Sequence, residues 1–424
     1  MLSIKPKCTR VCLHNLLMIR RLYYISYDLG FLSIHCHEII DNLMSLGVRT
    51  ELFVPKDADY SFQLHDECTL HKIPVVFSRD LLKDVSYQVM LGIILLVKIM
   101  KCNRPDVIYA RQNYLGIFPI MLSRIFGIPY FLELNGLTKQ AEKRARDVKL
   151  WIKGFLERMC LMLGSVIITP SKTLKRRIIR RYKVRSGKIY VVPNGANTEL
   201  FCPKDNSAAL QGTLGFSATD FVVGFVGSMG EWQGVEVIKN AIPLTLLKDK
   251  EIRFLIVGDY IKDSNYGRMK EGFGEGQKDI WRFIESNSFK HNVVYHNYVP
   301  YEESARYMNI CDILVAPYTK SYLELGGGSP MKLYAYLACG KPVIISDLGD
   351  FTDADMLKRA RAAVLIAPGD SRKLAKAIIG LRRDNELLTE LGKRARDFVM
   401  RERMWLHSAI KILDIYRREC GRDF

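Results

Sequence analysis

The sequence is short of the features that would assign it quickly. Its ten cysteines include no Cys-x-x-Cys pair and no metal-ligand spacing. That excludes a disulfide framework and a zinc ribbon and favours reduced thiols in a cytosolic chain. No apolar run is long enough for a bilayer. The longest, residues 89–97 with Ile99 and Met100, is closed by Lys98 and Lys101 and reads as a buried or interfacial helix with its apolar residues in the core. Residues 1–20 are basic, and His14 and Asn15 interrupt their apolar part, too polar for a signal peptide. No obvious catalytic dyad stands out.

Acid is the scarcer sign. Lys and Arg number 63 against 45 Asp and Glu, a net charge of +18, and between Lys139 and Lys188 bases outnumber acids about five to one. A solvated helix face is the bland meaning of such a run. The size of the imbalance favours an anionic partner: lipid headgroups, a phosphorylated acceptor or nucleic acid. No nucleic-acid motif or aromatic interleaving accompanies it, so a membrane surface ranks first and nucleic acid is not expected.

What is present is alternation. At 424 residues there is room for two domains. Residues 22–27 read as a strand, 35–46 as a helix stopped at Gly47, and 48–54 as the next strand. That is one unit of a doubly wound α/β sheet, with Asp28 and Gly30 in the loop at a cleft. Strands follow at 106–111, 130–136, 165–169 and 189–192. After a small, polar break at 206–219 a second set begins at 221–227 and continues at 252–257, 293–295, 312–316, 343–345 and 363–366. Helices are expected at 301–309, 371–381 and 405–417. Glu133 and Asn135, at a strand's carboxyl end, are either functional or turn formers. Asn194-Gly195 reads as a turn, and His35 and His37 as packing or capping residues rather than ligands.

The stretch from Glu324 to Gly340 carries the clearest chemistry. Gly326, Gly327 and Gly328 form a turn without side chains, Ser329 can cap a helix, and Pro330 suits its first position. The helix then runs over residues 331–339, ended by Gly340 and Pro342. Its first-turn N–H groups, the helix dipole and Lys332 would converge on an anion such as phosphate. A plain structural cap is the alternative, but three preceding glycines exceed what a cap needs.

Several ordered motifs resemble one family, the retaining GT-B-fold glycosyltransferases of family 4. They are Pro105 to Arg111, Val191-Val192-Pro193-Asn194-Gly195-Ala196-Asn197, the loop from Gly227 to Val235, Val257-Gly258-Asp259, Cys311 to Tyr318, and the Ser-Pro-x-Lys stretch from Ser329 to Pro342. The resemblance implies two Rossmann-like domains facing a cleft, with a C-terminal helix crossing back. The implied division is a leader (1–20), an acceptor domain (21–197), a donor domain (198–398) and the crossover helix (399–424). It implies sugar transfer from a UDP- or GDP-linked donor to a glycan or lipid-linked acceptor, with no cofactor and no metal, at the inner face of the cytoplasmic membrane. By resemblance, Gly227, Ser228, Gly258, Tyr298, Glu324, Gly327, Gly328, Ser329, Pro330 and Leu333 bind the donor. Glu133, Asn135 and Lys332 are the catalytic residues, and Asp28, Gly30 and Arg111 face the acceptor. Four positions depart from the resembled pattern: Gly327 and Ala335 stand where its E-x7-E motif has the two Glu, the second the ribose ligand, with Glu324 a displaced substitute for the first, and Gly230 and Gln233 replace a subgroup's Lys and His. A non-catalytic GT-B scaffold and a sugar-nucleotide epimerase are therefore the alternatives.

Overall fold

The computed structural model describes residues 19–26, 33–56, 67–76, 80–101, 103–111, 116–137, 148–204, 208–259, 275–287, 289–324 and 328–421. Two compact units divide the chain. One runs to Pro193 and resumes at Trp405, and the other holds most of the chain from Asn194 to Met404.

The first unit is built from β1 (Arg21–Ser26), α1 (Ser33–Ser45), β2 (Arg49–Pro55), β3 (Thr69–Ile73), α2 (Asp80–Met100), β4 (Val107–Arg111), α3 (Ile117–Ile125), β5 (Tyr130–Glu133), α4 (Val148–Leu163), β6 (Val166–Thr169), α5 (Lys172–Tyr182) and β7 (Ile189–Val191). The strands form one parallel sheet in the order β3-β2-β1-β4-β5-β6-β7. Chain direction across the sheet reverses at β1, so right-handed crossovers place α1 on one face and α2, α3 and α4 on the other. The carboxyl ends of β1, β4 and β5 meet at this switch point and carry Ser26, Arg111 and Glu133.

The second unit comprises α6 (Ala208–Thr213), β8 (Phe221–Val226), α7 (Val235–Leu246), β9 (Ile252–Val257), α8 (Glu275–Ser286), β10 (Val293–His296), α9 (Tyr301–Asn309), β11 (Ile313–Ala316), α10 (Ser321–Glu324), α11 (Met331–Ala338), β12 (Val343–Ser346), α12 (Ala354–Ala360), β13 (Val364–Ile366), α13 (Ser371–Arg382) and α14 (Asn385–Glu402). Its parallel sheet has the order β10-β9-β8-β11-β12-β13, with the switch between β8 and β11. All six residues of β8 are buried, because helices cover both faces of such a sheet. The last helix, α15 (Trp405–Cys420), belongs to the first unit and packs along α1. Trp405 lies edge-on to His35 at 5.1 Å, and the Ser408 hydroxyl donates to the Pro193 carbonyl at 2.7 Å.

The expected α/β, doubly wound, two-domain fold is therefore present. Three local readings are corrected. Edge strand β3, with only Ile73 fully buried, went unread, and the polar stretch at 206–219 contains helix α6. The apolar residues of α2 are not all core: Val89, Ile93, Val97 and Met100 are exposed.

Candidate active site

The second unit gathers two loops and one helix start at its switch point. After β8, the Gly227 N–H donates to the Val257 carbonyl at 2.9 Å, and the Met229 N–H to that of Asp259 at 3.0 Å. Gly258 sits at φ +135°, and a Cβ there would lie 2.0 Å from the Gly227 carbonyl oxygen. The two loops are zipped together because position 258 has no side chain. Gly234, at φ +78°, presses against the Pro317 carbonyl in the same way, 1.9 Å from an added Cβ. The Thr319 N–H donates to the Trp232 carbonyl at 3.1 Å, so the loop after β8 holds the segment after β11 in place. The Gln233 amide donates to the Ser228 hydroxyl at 3.1 Å. Gly258→Ala should separate the loops, cost ~1–3 kcal/mol in thermal unfolding and weaken nucleotide binding in calorimetry. An unchanged affinity would show that the zipped loops play no part in binding.

Lys332 lies beneath this floor. Its aliphatic chain runs under Gly227, whose added Cβ would be 3.1 Å from the lysine Cδ. The ammonium is 4.1 Å from the Phe225 ring centre and 4.9 Å from that of Tyr318. It is sealed from solvent and has no hydrogen-bond partner in the described structure. Burial holds its proton affinity well below the ordinary lysine range. Ring faces offset only part of the cost of burying a cation.

The start of α11 differs in detail from the expectation. Pro330, not Ser329, is the cap residue, and no side chain caps the helix. The Ser329 hydroxyl is engaged elsewhere: it accepts from the Asn194 N–H at 2.9 Å and meets the Tyr334 hydroxyl at 2.9 Å. The Asn194 amide also donates to the Ser329 carbonyl at 2.7 Å. Asn194 is thus more than a turn former, since it ties the linker to the helix start. From Ser329 the chain of contacts continues through Tyr334 to Asp353 (2.8 Å) and on to Arg403 (2.7 Å). Leu333 is buried in the core, and its N–H donates to the Pro330 carbonyl at 3.0 Å, so that amide is not free for a ligand. The amides of Met331 and Lys332 remain at the open end of the first turn. Gly328 is partly exposed and Tyr298 is 43% exposed after β10. Ala335 is buried in the core beneath. Gly326, Gly327 and the Glu324 side chain lie outside the described residues.

In the first unit, Glu133 is at the centre of a closed network. Its carboxylate accepts from Tyr109 at 2.7 Å and Asn135 at 2.6 Å, with His35 at 3.2 Å and Arg111 at 3.6 Å. Burial alone would raise its proton affinity, but His35, Arg111 and these hydrogen bonds draw it below the usual carboxylate range. His35 is pushed down to about 4, first by burial and then by Arg111, against the pull of Glu133. At neutral pH His35 is therefore neutral and Arg111 is the countercharge. Unfolded, His35 would take a proton near its ordinary value. Between roughly 6.5 and 4 the unfolded chain binds more protons, so stability falls as pH falls, by ~3 kcal/mol across the window. Urea titrations should show this slope flattened in His35→Gln. An unchanged slope would assign it to other groups.

The network makes Glu133 and Arg111 interior residues, 2% and 5% exposed, and leaves Asn135 as the member within reach of solvent. Asp28 and Gly30 lie outside the described residues.

Two family profiles match the chain: Glycosyltransferase Family 4 over residues 32–200 and Glycosyl transferases group 1 over residues 220–384. The chain is built from family 4 and group 1 glycosyltransferase domains. An Escherichia coli protein, UDP-Gal:alpha-D-GlcNAc-diphosphoundecaprenol alpha-1,3-galactosyltransferase, is 24% identical over 80% of both chains. A D-inositol 3-phosphate glycosyltransferase of Thermobispora bispora is 21% identical over 93% of this chain and 91% of its own. Among solved structures, sucrose-phosphate synthase of Thermosynechococcus elongatus superposes with TM-score 0.72 at 18% identity, covering 95% of this chain and 100% of its own. Anabaena Alr3699/HepE, solved with UDP, superposes at 0.71 with 17% identity, covering 94% and 100%. These likenesses give the GT-B glycosyltransferase fold.

Proposed function

We propose that this glycosyltransferase-family protein is a retaining enzyme that moves a sugar from a UDP- or GDP-linked donor to a glycan or lipid-linked acceptor. The observation that carries the reading is the buried, unpartnered Lys332 ammonium under the Gly227 loop and beside the open end of α11. A donor diphosphate supplies the negative charge that this position lacks. As the bond between the anomeric carbon and the β-phosphate oxygen breaks, Lys332 and the amides of Met331 and Lys332 stabilise the departing phosphate. The acceptor hydroxyl forms the new bond on the same face, and its proton passes to the leaving phosphate oxygen. No protein base is required. In the first unit, Glu133 and Arg111 act as positioning residues for the Asn135 amide, the network's solvent-reachable group.

The Escherichia coli relative's name specifies a UDP-linked donor and a lipid diphosphate acceptor, which supports the same two classes here. The basic stretch between Lys139 and Lys188 fits an anionic membrane surface next to such an acceptor. Turnover of a nucleotide-sugar panel with membrane-extracted acceptors tests the reading, and the anomeric configuration of the product tests retention. Inversion, or no turnover of any donor, would overturn it.

The second reading is a non-catalytic scaffold. Ala335 packed in the core, and Gln233 spent on Ser228, favour it. Calorimetric titration with UDP and GDP separates the two readings, because a scaffold with a degraded donor site binds neither.

A further inference from the structure

Helix α2 is apolar on all sides. Tyr87, Leu91, Leu95 and Ile99 are buried against the sheet, while Val85, Val89, Ile93 and Met100 face outward, the last 67% exposed. A helix hydrophobic all round belongs in a core or in lipid. No helix among the described residues is long and apolar enough to cross a membrane.

The neighbouring helices repeat the pattern. On α3 the exposed residues are Phe118, Met121 and Ile125, at i, i+3 and i+7, with Ile125 71% exposed. On α4 they are Trp151, Phe155 and Met162. Trp151 is 70% exposed, and its ring stacks on that of Phe155 with 5.9 Å between centres. Helices α2, α3 and α4 are neighbours on one face of the sheet, so three outward apolar stripes form one surface. Single exposed apolar residues need no explanation, but a contiguous three-helix patch does.

In a parallel sheet these helices all end at the same edge, and that edge is basic. Arg104 donates to the Gly127 carbonyl at 3.2 Å, and Arg124 to that of Leu163 at 3.2 Å. Lys188 reaches the carbonyls of Met162 at 3.0 Å and Gly164 at 3.1 Å. These bonds cap helix ends, yet Arg104 and Arg124, with Lys101 and Arg185, remain exposed.

We propose that the α2–α3–α4 face inserts shallowly into the anionic leaflet of a lipid membrane, with Trp151 at acyl-chain depth and the basic edge on headgroup phosphates. An apolar face bordered by bases matches a negatively charged interface. Two copies of a +18 chain meeting through this face would bring like-charged edges together, which argues against self-association. The proposal builds on the lipid-linked-acceptor reading and gives it a docking surface.

The test uses the full chain without donor, so that failure here leaves the transferase reading standing, and an inactive protein that docks leaves this one standing. The chain should float with phosphatidylglycerol–phosphatidylethanolamine vesicles and bind phosphatidylcholine vesicles weakly. Brominated acyl chains should quench tryptophan emission, and Trp151→Phe should remove the quenching, leaving Trp232, Trp281 and Trp405 unaffected. Ile93→Asp with Ile125→Asp should cut binding at least tenfold without lowering the melting temperature, both being surface positions. Lys101→Ala and Arg104→Ala should each weaken it about fivefold. No vesicle binding by the parent chain, quenching that survives Trp151→Phe, or a concentration-dependent dimer abolished by the aspartates while vesicle binding persists would overturn the proposal.

Discussion

Lys332→Met should yield a protein that is no less stable than its parent yet nearly inactive. The parent buries the Lys332 amine, which has no hydrogen-bond partner among the described residues and lies against the Phe225 and Tyr318 rings. Charging it there would cost more than two ring faces return, ~0.5–2 kcal/mol, and even the neutral amine is a polar group buried without a partner among the described residues. A thioether of similar length fills the same space without a polar group to desolvate, so thermal unfolding should move up by ~1 kcal/mol. The donor, however, loses the cation opposite its diphosphate, and kcat/KM should fall by about 10²–10³. A buried lysine whose proton affinity is depressed also takes up a proton when an anion arrives. Nucleotide-sugar affinity should therefore decline as pH rises, and the calorimetric enthalpy should vary with buffer ionisation; the diester phosphates of such a donor do not themselves titrate there. If Lys332→Met turns over donor at the parental rate, the lysine has no phosphate role.

Glu133→Ala is expected to be the most destabilising single change in the first unit, at ~3–5 kcal/mol. It removes the carboxylate that faces the buried Arg111 guanidinium and leaves the Tyr109 hydroxyl and the Asn135 amide without their acceptor. Glu133→Gln keeps the shape and one acceptor oxygen and should cost less, near 1–3 kcal/mol. Denaturant melts of the two variants, compared at pH 7, check the order. If Ala and Gln cost the same, the charge on Glu133 contributes nothing and the network is only packing. Activity gives a separate reading, because Gln still holds Asn135 and should retain more turnover than Ala.

The strands were legible because a parallel sheet covered on both faces needs continuous apolar runs, and Phe221–Val226 is one. Thr69–Ile73 escaped because an edge strand with a half-polar face resembles a loop. The helix start at Met331 was legible from glycines, a proline and a lysine at helix-start spacing. The surroundings of Lys332 were not, because Phe225 lies on β8 and Tyr318 in the segment after β11, and only folding brings them around it. Ser329 was misread as a cap for a similar reason: local sequence suggests the nearest N–H, while Asn194, 135 positions away, claims its hydroxyl. The exposed half of α2 was invisible because both of its faces are equally apolar, so composition cannot say which one meets protein.

The return of α15 to the first unit has a consequence for biosynthesis. Trp405 packs on His35, and Ser408 bonds Pro193, so that unit lacks part of its core until some two hundred further residues have left the ribosome. The second unit, contiguous by contrast for most of its length, can close first. Nascent chains halted before Trp405 should then show a protease-resistant later portion and a cleavable earlier one, the reverse of vectorial, start-to-finish maturation.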